Sequence, residues 1–327
     1  MKKAILISLL LIAFINCNAQ FIITKPVDVA VAPINFNPEL IKQNKIKSIV
    51  LDIVDKPDGS VIIDKDATQG YEFDLNGNLI RYYYTLLNKT QTTEVDVPAI
   101  KKHGRIIRQA TTFTKTHYLN DTIFVTIFYD EKSRIIAKRL RTGDYFDAFY
   151  FEYNIQGQLK KELHCRETNI SENKNEFKLG VQKILSSETF EYTILTPTQI
   201  KKSCLNDEGR EYKKAIINYD EKGNKLSENY EFIVSWMRQE NGFQYDENGR
   251  LKEQTFASNE SSEIKTRSTF EYDKNGVLLT EKKFKNGLPT FEINYLYNEA
   301  NTLLKSEVNR DFKNTSIIIV KFEYSFY

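Results

Sequence analysis

One nine-residue pattern constrains this chain more than any other feature, because the sequence keeps returning to it. Its best copy is FQYDENGRL at Phe243–Leu251, with YEFDLNGNL at Tyr71–Leu79, FEYNIQGQL at Phe151–Leu159 and FEYDKNGVL at Phe270–Leu278. An Asp opening a type I turn accepts hydrogen bonds from the backbone two residues on, and Gly takes the left-handed conformation that follows. Together they specify a three-residue hairpin loop closed by a glycine bulge. In that register Tyr245 faces Leu251, Asp246 faces Arg250, and Phe243 shares the face of Tyr245, since side chains alternate along a strand. One side of each hairpin is aromatic and aliphatic, the other charged.

Clear copies begin at Tyr71, Ile127, Phe151, Ile217, Phe243, Phe270 and Tyr295, the last steps being 26, 27 and 25 residues. Worn copies lie at Pro98–Ile106, which keeps Gly104, and at Ser203–Glu211, which sits only 14 residues before the next copy and breaks the period. In the copy at Tyr295–Leu303, Asn301 replaces glycine, the usual second choice at a left-handed position. After Tyr219 the leucine comes one place late, as Leu226, so a different turn is expected there. Looser turns such as Asn286-Gly287 fall between copies. A fixed period of this length marks a repeat architecture in which each unit buries its face against its neighbours. The expected fold is all-β: a long antiparallel β-meander of about 26-residue two-strand repeats, twisted or curled, with one short N-terminal helix. No helix-period stretch is long enough to cover the apolar face, so the sheet must curl or pack on its own other half.

The expected domains are a signal peptide at 1–19, an N-terminal arm and short helix at 20–45, and the β-repeat region at 46–327. Lys2 and Lys3, the apolar run Ala4–Ile15 and the small Ala19 make a secretory signal, too short to span a bilayer. Lipidation of Cys17 is the weaker reading, because Asn16 stands where lipoprotein signals carry a small residue. Asn37-Pro38-Glu39 is a helix start: a capping side chain, proline at the first helical position, then an acid near the positive end.

Without Lys2 and Lys3, the 46 basic residues become 44 against 44 acidic ones. A neutral chain with no basic run excludes nucleic acid as the expected partner. Export permits a disulfide between Cys165 and Cys204. In a meander these two strands lie a few positions apart, beyond the reach of bridged Cβ atoms unless the sheet closes or curls, so two buried free thiols are expected.

Catalytic residues and metal ligands are expected to be absent. His103, His117 and His164 are scattered, with His103 in a turn, and no metal-ligand spacing occurs. His164 and Cys165 are adjacent on a strand and point to opposite faces. A carboxylate pair at glycosidase spacing could arise among so many acids. The motif acids Asp74, Asp130, Asp220, Asp246 and Asp273, however, are already needed as turn-makers. Among the aromatics, parity from Leu79 sends Tyr82 and Tyr84 outward and Tyr83 inward, with Tyr150 outward. Trp236, alternating with Tyr230, Phe232 and Val234, reads as core. The terminal strand around Val320–Phe326 alternates like a barrel strand, but 28% charge fits water better than lipid.

The aromatic–Asp–Gly–Leu copies resemble the YD repeats of bacterial Rhs and related wall-associated proteins, over most of Tyr71–Leu303. That resemblance implies a β-repeat shell on an exported protein. Large members enclose a C-terminal toxin; here the copies run almost to Tyr327, so no toxin activity is expected. The function expected from the sequence is an exported, non-enzymatic cell-envelope scaffold or binding surface for protein or glycan. It has no cofactor, no membrane span in the mature chain and no assigned ligand-binding residues. It would reside in the periplasm, at the outer surface or outside the cell. The alternative is an envelope glycan hydrolase using surface carboxylates. If the chain binds something, the irregular stretches Ser203–Asp220 and Tyr145–Tyr153 are better placed than the best copies.

Overall fold

Antiparallel pairing carries the chain round in a ring. In a computed structural model that describes residues 20–327 except 103, 104, 109, 110, 143, 174, 175, 261–263 and 301, eighteen strands form one sheet. The signal peptide, Cys17, His103, Gly104 and Asn301 fall outside the described residues. Helix α1, Pro38–Gln43, starts where its capping signature places it, with the Asn37 side chain accepting from the Glu39 N–H at 3.1 Å. From Ile46 onward each strand pairs with the next, except that Leu79–Val97 pairs directly with Thr111–Tyr129. The small hairpin of Ile100–Lys102 and Arg105–Arg108 lies between them in sequence. The last strand, Ser316–Phe326, pairs with the first, Ile46–Pro57, from Ile46↔Phe326 to Pro57↔Ser316.

The expected all-β meander with one short helix is therefore observed, and it closes into an 18-strand barrel. That closure corrects the YD-repeat, Rhs-like assignment, because a ring sealed between its first and last strands is not a repeat shell of that kind. The motif encodes a turn, and a turn of that kind is compatible with any antiparallel sheet.

The turns alternate between the two ends of the barrel. Those opening with Asp74, Asp130, Asn154, Asp220, Asp246, Asp273 and Asn298 all lie at one end, with the start of the first strand. The Asn206 turn has the same local bonds, Asn206 N to Arg210 O and Gly209 N to Asn206 O, yet lies at the opposite end. Parity explains the short step that broke the period: one strand, not two, separates Asn206 from Asp220. The Asp220 turn also matches its siblings, with Lys225 and not Leu226 in the leucine slot opposite Tyr219.

Each motif Asp is spent on its turn. Asp246 Oδ1 accepts from the N–H groups of Asn248 and Arg250, both at 2.9 Å, while Oδ2 takes the Arg250 Nε–H at 2.6 Å. Just beyond the leucine the register slips by one residue, as between Gln244 and Tyr245. That bulge reverses the parity of the outgoing strand. It corrects the expected aromatic directions: with Ile80 as the extra residue, Tyr82 pairs with Tyr71 and is buried, whereas Tyr83 lies across Gly70 on the outer face. Trp236 is likewise not core. It is 75% exposed in a turn with φ +55°, and only Tyr230 and Phe232 of its alternating set turn inward.

The motif tyrosine has a job that the pattern did not reveal. Adjacent hairpins are staggered, so the last leucine-side residues of one hairpin extend past the ladder to the next strand. The hydroxyls of Tyr129, Tyr153, Tyr245 and Tyr272 donate back to the carbonyls of Leu79, Ile135, Lys225 and Leu251 at 2.7–3.0 Å. Each satisfies a carbonyl that strand pairing leaves open.

Two substitutions test this turn end. Nothing lies within 4 Å of a Cβ built on Gly249, whose φ is +74°, so the cost of Gly249→Val is purely conformational. It should lower stability by about 1–3 kcal/mol, with Gly249→Asn costing clearly less, and equal losses in thermal melts would count against the left-handed turn. Tyr245→Phe should cost about 0.5–1.5 kcal/mol in urea unfolding by removing the cap on the Lys225 carbonyl, and an unchanged midpoint would deny the hydroxyl that role.

Candidate functional site

The lumen, not the outer face, gathers the unusual chemistry. Residues 20–36 form an arm inside the turn end. It folds back on itself through the Ile22–Phe36 bridge and hydrogen bonds from Ile23 N to Asn35 O and Asn37 N to Phe21 O. Phe21 and Phe36 anchor it: Phe36 meets Tyr71 and Phe73 edge-on at 4.9 and 5.8 Å, and Phe21 meets Tyr324 at 6.2 Å. Its contacts reach widely separated strands, which only a segment within the ring can do. Thr24 bonds Tyr272 at 2.9 Å, Asp28 pairs with Lys225 at 3.1 Å, and the Ala30 carbonyl accepts from Lys138 at 3.4 Å.

Lys225 was missed by sequence reasoning, and its signal was a lysine in the leucine slot. It faces inward, is ion-paired to both Asp28 and Glu228 at 3.1 Å, and burial, though opposing the charge, is outweighed by those two acids, which raise its pKa. The residue three places after the leucine slot was missed as well. The bulge turns it inward, and it is acidic repeatedly: Glu162, Glu228, Glu281 and Glu307, the last counted from Leu304, which stands opposite Tyr297 in place of Leu303.

Two cavities flank the arm. One, of about 350 Å³, lies between Val27–Phe36 and Tyr129, Ile135 and Tyr153. The other, of about 500 Å³, lies between Ile22–Thr24, Pro33–Asn35 and the wall containing Leu51, Phe270, Ile293, Tyr295 and Val320. Its polar groups are Gln69, Glu281, Lys283, Glu307 and Asn309 on the wall, with Thr24 and Asn35 on the arm. Glu281 is held by Lys283 at 3.3 Å and by the Tyr295 hydroxyl at 3.1 Å. Glu307 is only 7% exposed, and burial, then the nearby Glu281 charge, pushes its carboxyl up to about 7 against a bond from Asn309.

The two irregular stretches singled out in the sequence come together on the other side of the lumen. Phe149 and Phe151 from Tyr145–Tyr153 join Leu159, Phe190, Cys204, Tyr212 and Tyr230 in one cluster. Glu188 there takes Lys213 at 3.1 Å and the Tyr212 hydroxyl at 2.6 Å. Cys165 and Cys204 are free, buried thiols, as expected, and burial pushes Cys204 up to about 11, far from a reactive thiolate. Cys165 shares the outward face of Glu167, two residues on, whereas Cys204 pairs with inward Phe190, so the two thiols face opposite sides of the sheet. Tyr150 is outward, as parity predicted, where it and Arg139 bond the fully buried Glu167. His164 stacks on Phe149 at 4.3 Å, and His117 bonds Thr93 at 3.2 Å. No cluster of three or more metal-ligating side chains occurs among the described residues.

The outer face carries cross-strand ion pairs around the girth. They join Asp52 to Lys321 (3.9 Å), Glu72 to Arg81 (3.7 Å), Lys214 to Glu231 (3.0 Å), Glu253 to Arg267 (2.8 Å) and Glu271 to Lys282 (3.0 Å). No described helix is long and apolar enough to cross a membrane, which says nothing of the strands.

No protein-family model matches the chain, and no curated protein does either. Among solved structures it is similar to a porin-like protein from Bacteroides uniformis at 10% identity, covering 86% of this chain and 98% of that one, with a TM-score of 0.35. A porin-like protein from Bacteroides vulgatus aligns at 12% identity over 63% of this chain and 94% of that one, with a TM-score of 0.27. Likenesses this distant decide nothing about function; the barrel is read from its own strand pairing.

Glu307 makes a pH prediction with a definite sign. A carboxyl raised from 4.5 to about 7 by folding binds its proton more tightly in the native state. Stability therefore falls as pH rises through that window and does not recover above it. Glu307→Gln should remove this slope and leave the variant more stable than the parent at pH 8 by roughly 2–3 kcal/mol, with little difference at pH 4. Parallel denaturation curves at the two pH values would show that Glu307 is not held up by burial.

Proposed function

We propose that this is an exported, non-enzymatic binding protein of the cell envelope, working in water and using the lumen of its barrel as the binding surface. One observation carries the reading: cross-strand ion pairs stand on the outer face of strands at several places round the ring, and the main buried aromatic and aliphatic cluster lies inside, around the arm. A bilayer-spanning barrel needs the reverse, an outward apolar band about 25 Å tall, and a lysine or arginine at its midplane costs roughly 2–4 kcal/mol. The two lumenal cavities fall in or near the volume range of small-molecule sites, apolar with a few convergent polar groups. The motif acids are spent on turns, and many outer acids on ion pairs, which supports a non-enzymatic role.

The purified protein should stay in the aqueous phase of a detergent phase separation and give no stepwise conductance in planar lipid bilayers. Partition into detergent together with discrete conductance steps would replace this reading with a membrane pore.

The hydrolase reading keeps one supporting observation, moved from the surface to the lumen. Glu307, held near 7, has the property of a general acid, and Glu281, paired with Lys283 at 3.3 Å, lines the same cavity. Hydrolysis of a glycan panel that disappears in Glu307→Gln would favour the enzyme.

A further inference from the structure

The larger lumenal cavity has an imbalance of charge and of hydrogen-bonding groups that says what would fill it. Its walls are largely apolar, with Ile22, Leu51, Phe270, Ile293 and Val320 from the arm and four separate strands. Three charged side chains line it: Glu281, Lys283 and Glu307. Lys283 is committed to Glu281 at 3.3 Å, and the Tyr295 hydroxyl donates to the other Glu281 oxygen at 3.1 Å. Glu307 forms no ion pair within 4 Å among the described residues, although it is only 7% exposed. Beside it, Asn309 Oδ1 is buried with no hydrogen-bond partner. The cavity thus holds two carboxylates and an unsatisfied amide oxygen against one ammonium. With the Asn309 amide already bonded to Glu307, what the cavity leaves open is one unbalanced carboxylate and the Asn309 oxygen.

We infer that the cavity binds a small amphipathic amine, with its protonated nitrogen against Glu307 and Asn309 and its hydrocarbon portion along Ile22, Phe270, Ile293 and Val320. This rests on the reading of the barrel as a lumenal binding protein. An ammonium brings three donors and no acceptor, which is the complement of what the cavity leaves open. Its hydrogen bond to a carboxylate is charge-assisted, and burial strengthens it. The faces of Phe270 and Tyr295 in the same wall also suit a cation. A fatty carboxylate would instead add a third negative charge to the cavity. A sugar would leave most of the apolar wall unmatched.

The same arrangement makes binding depend on pH. The charged groups facing Glu307 are Glu281 and Lys283, with the hydroxyls of Tyr71, Tyr295, Tyr297 and Tyr324 nearby, and the arm's share of the lining carries no charge. The Glu307 carboxyl, pushed up to about 7 by burial, ionises across this range, so affinity for an amine should rise from pH 6 to pH 8.

The test is calorimetric titration of the whole mature protein with hexylamine, hexanol and hexanoate at pH 6 and pH 8. Hexylamine should bind saturably at pH 8, at least tenfold tighter than hexanol, with hexanoate weakest, and the preference should shrink at pH 6. Glu307→Gln should fold, and bind hexylamine and hexanol alike. Binding of hexanoate as tight as hexylamine, an amine preference that survives Glu307→Gln, or no saturable binding of any probe would each overturn the inference. A detergent-partitioning, conducting protein would overturn the proposed function and leave the amine preference to be judged by these titrations alone.

Discussion

The size of the ring is the constraint on which the rest of this structure depends. Eight strands enclose a space that their own side chains can fill, whereas sixteen to eighteen leave a channel. A barrel of eighteen strands must therefore either leave a channel open or find something to put inside. This one answers with large aromatic residues on the inward positions and with a length of its own chain, folded back on itself between Phe21 and Phe36. The filling is incomplete, and the two cavities beside the arm are what remains. Site and fold thus have one origin, because the pockets are the mismatch between the circumference of the sheet and the bulk of the plug.

The inward charges follow from the same geometry. A core packed at the density of a small domain has little tolerance for an unpaired carboxylate. Here the bulge after each turn directs an acid toward the lumen, where Lys225 and Lys283 answer two of them and Glu307 is left with an amide neighbour. Burying such groups costs stability, and they persist in a part of the molecule where the turn motif itself needs no charge.

The legible part of the fold was local. Asp246 and Gly249 announce their turn, and Asn37-Pro38-Glu39 announces its helix, because the partners of each lie within a few residues. Two features were not legible. The bulge that turns Tyr82 inward and Tyr83 outward recurs at the same step of the other hairpins, yet no residue type of its own marks it in the sequence. Ring closure pairs Ile46–Pro57 with Ser316–Phe326, and neither strand carries a sign that the other is its partner. The likeness to a repeat shell failed for this reason: the recurring residues specify the corner, and nothing in a corner says how many sides the figure has. For the site, the sequence singled out Tyr145–Tyr153 and Ser203–Asp220 only as irregular, and their meeting in one lumenal cluster was not foreseen. It gave no hint of Glu307, whose spacing from Leu304 acquires meaning only once the bulge is known.

The seam between the first and last strands also sets an order of events. The strand that begins at Ile46 offers an open edge from the moment it is made, and its partner ends at Phe326. Until that segment arrives, the growing meander has two unpaired edges and an apolar face curved around the arm. Pairing so distant in sequence is slow to form, and open edges invite other strands. A protein built in this way carries its greatest risk of aggregation not when folded but during the interval before its ends meet. For that interval both edges must be kept apart from other strands.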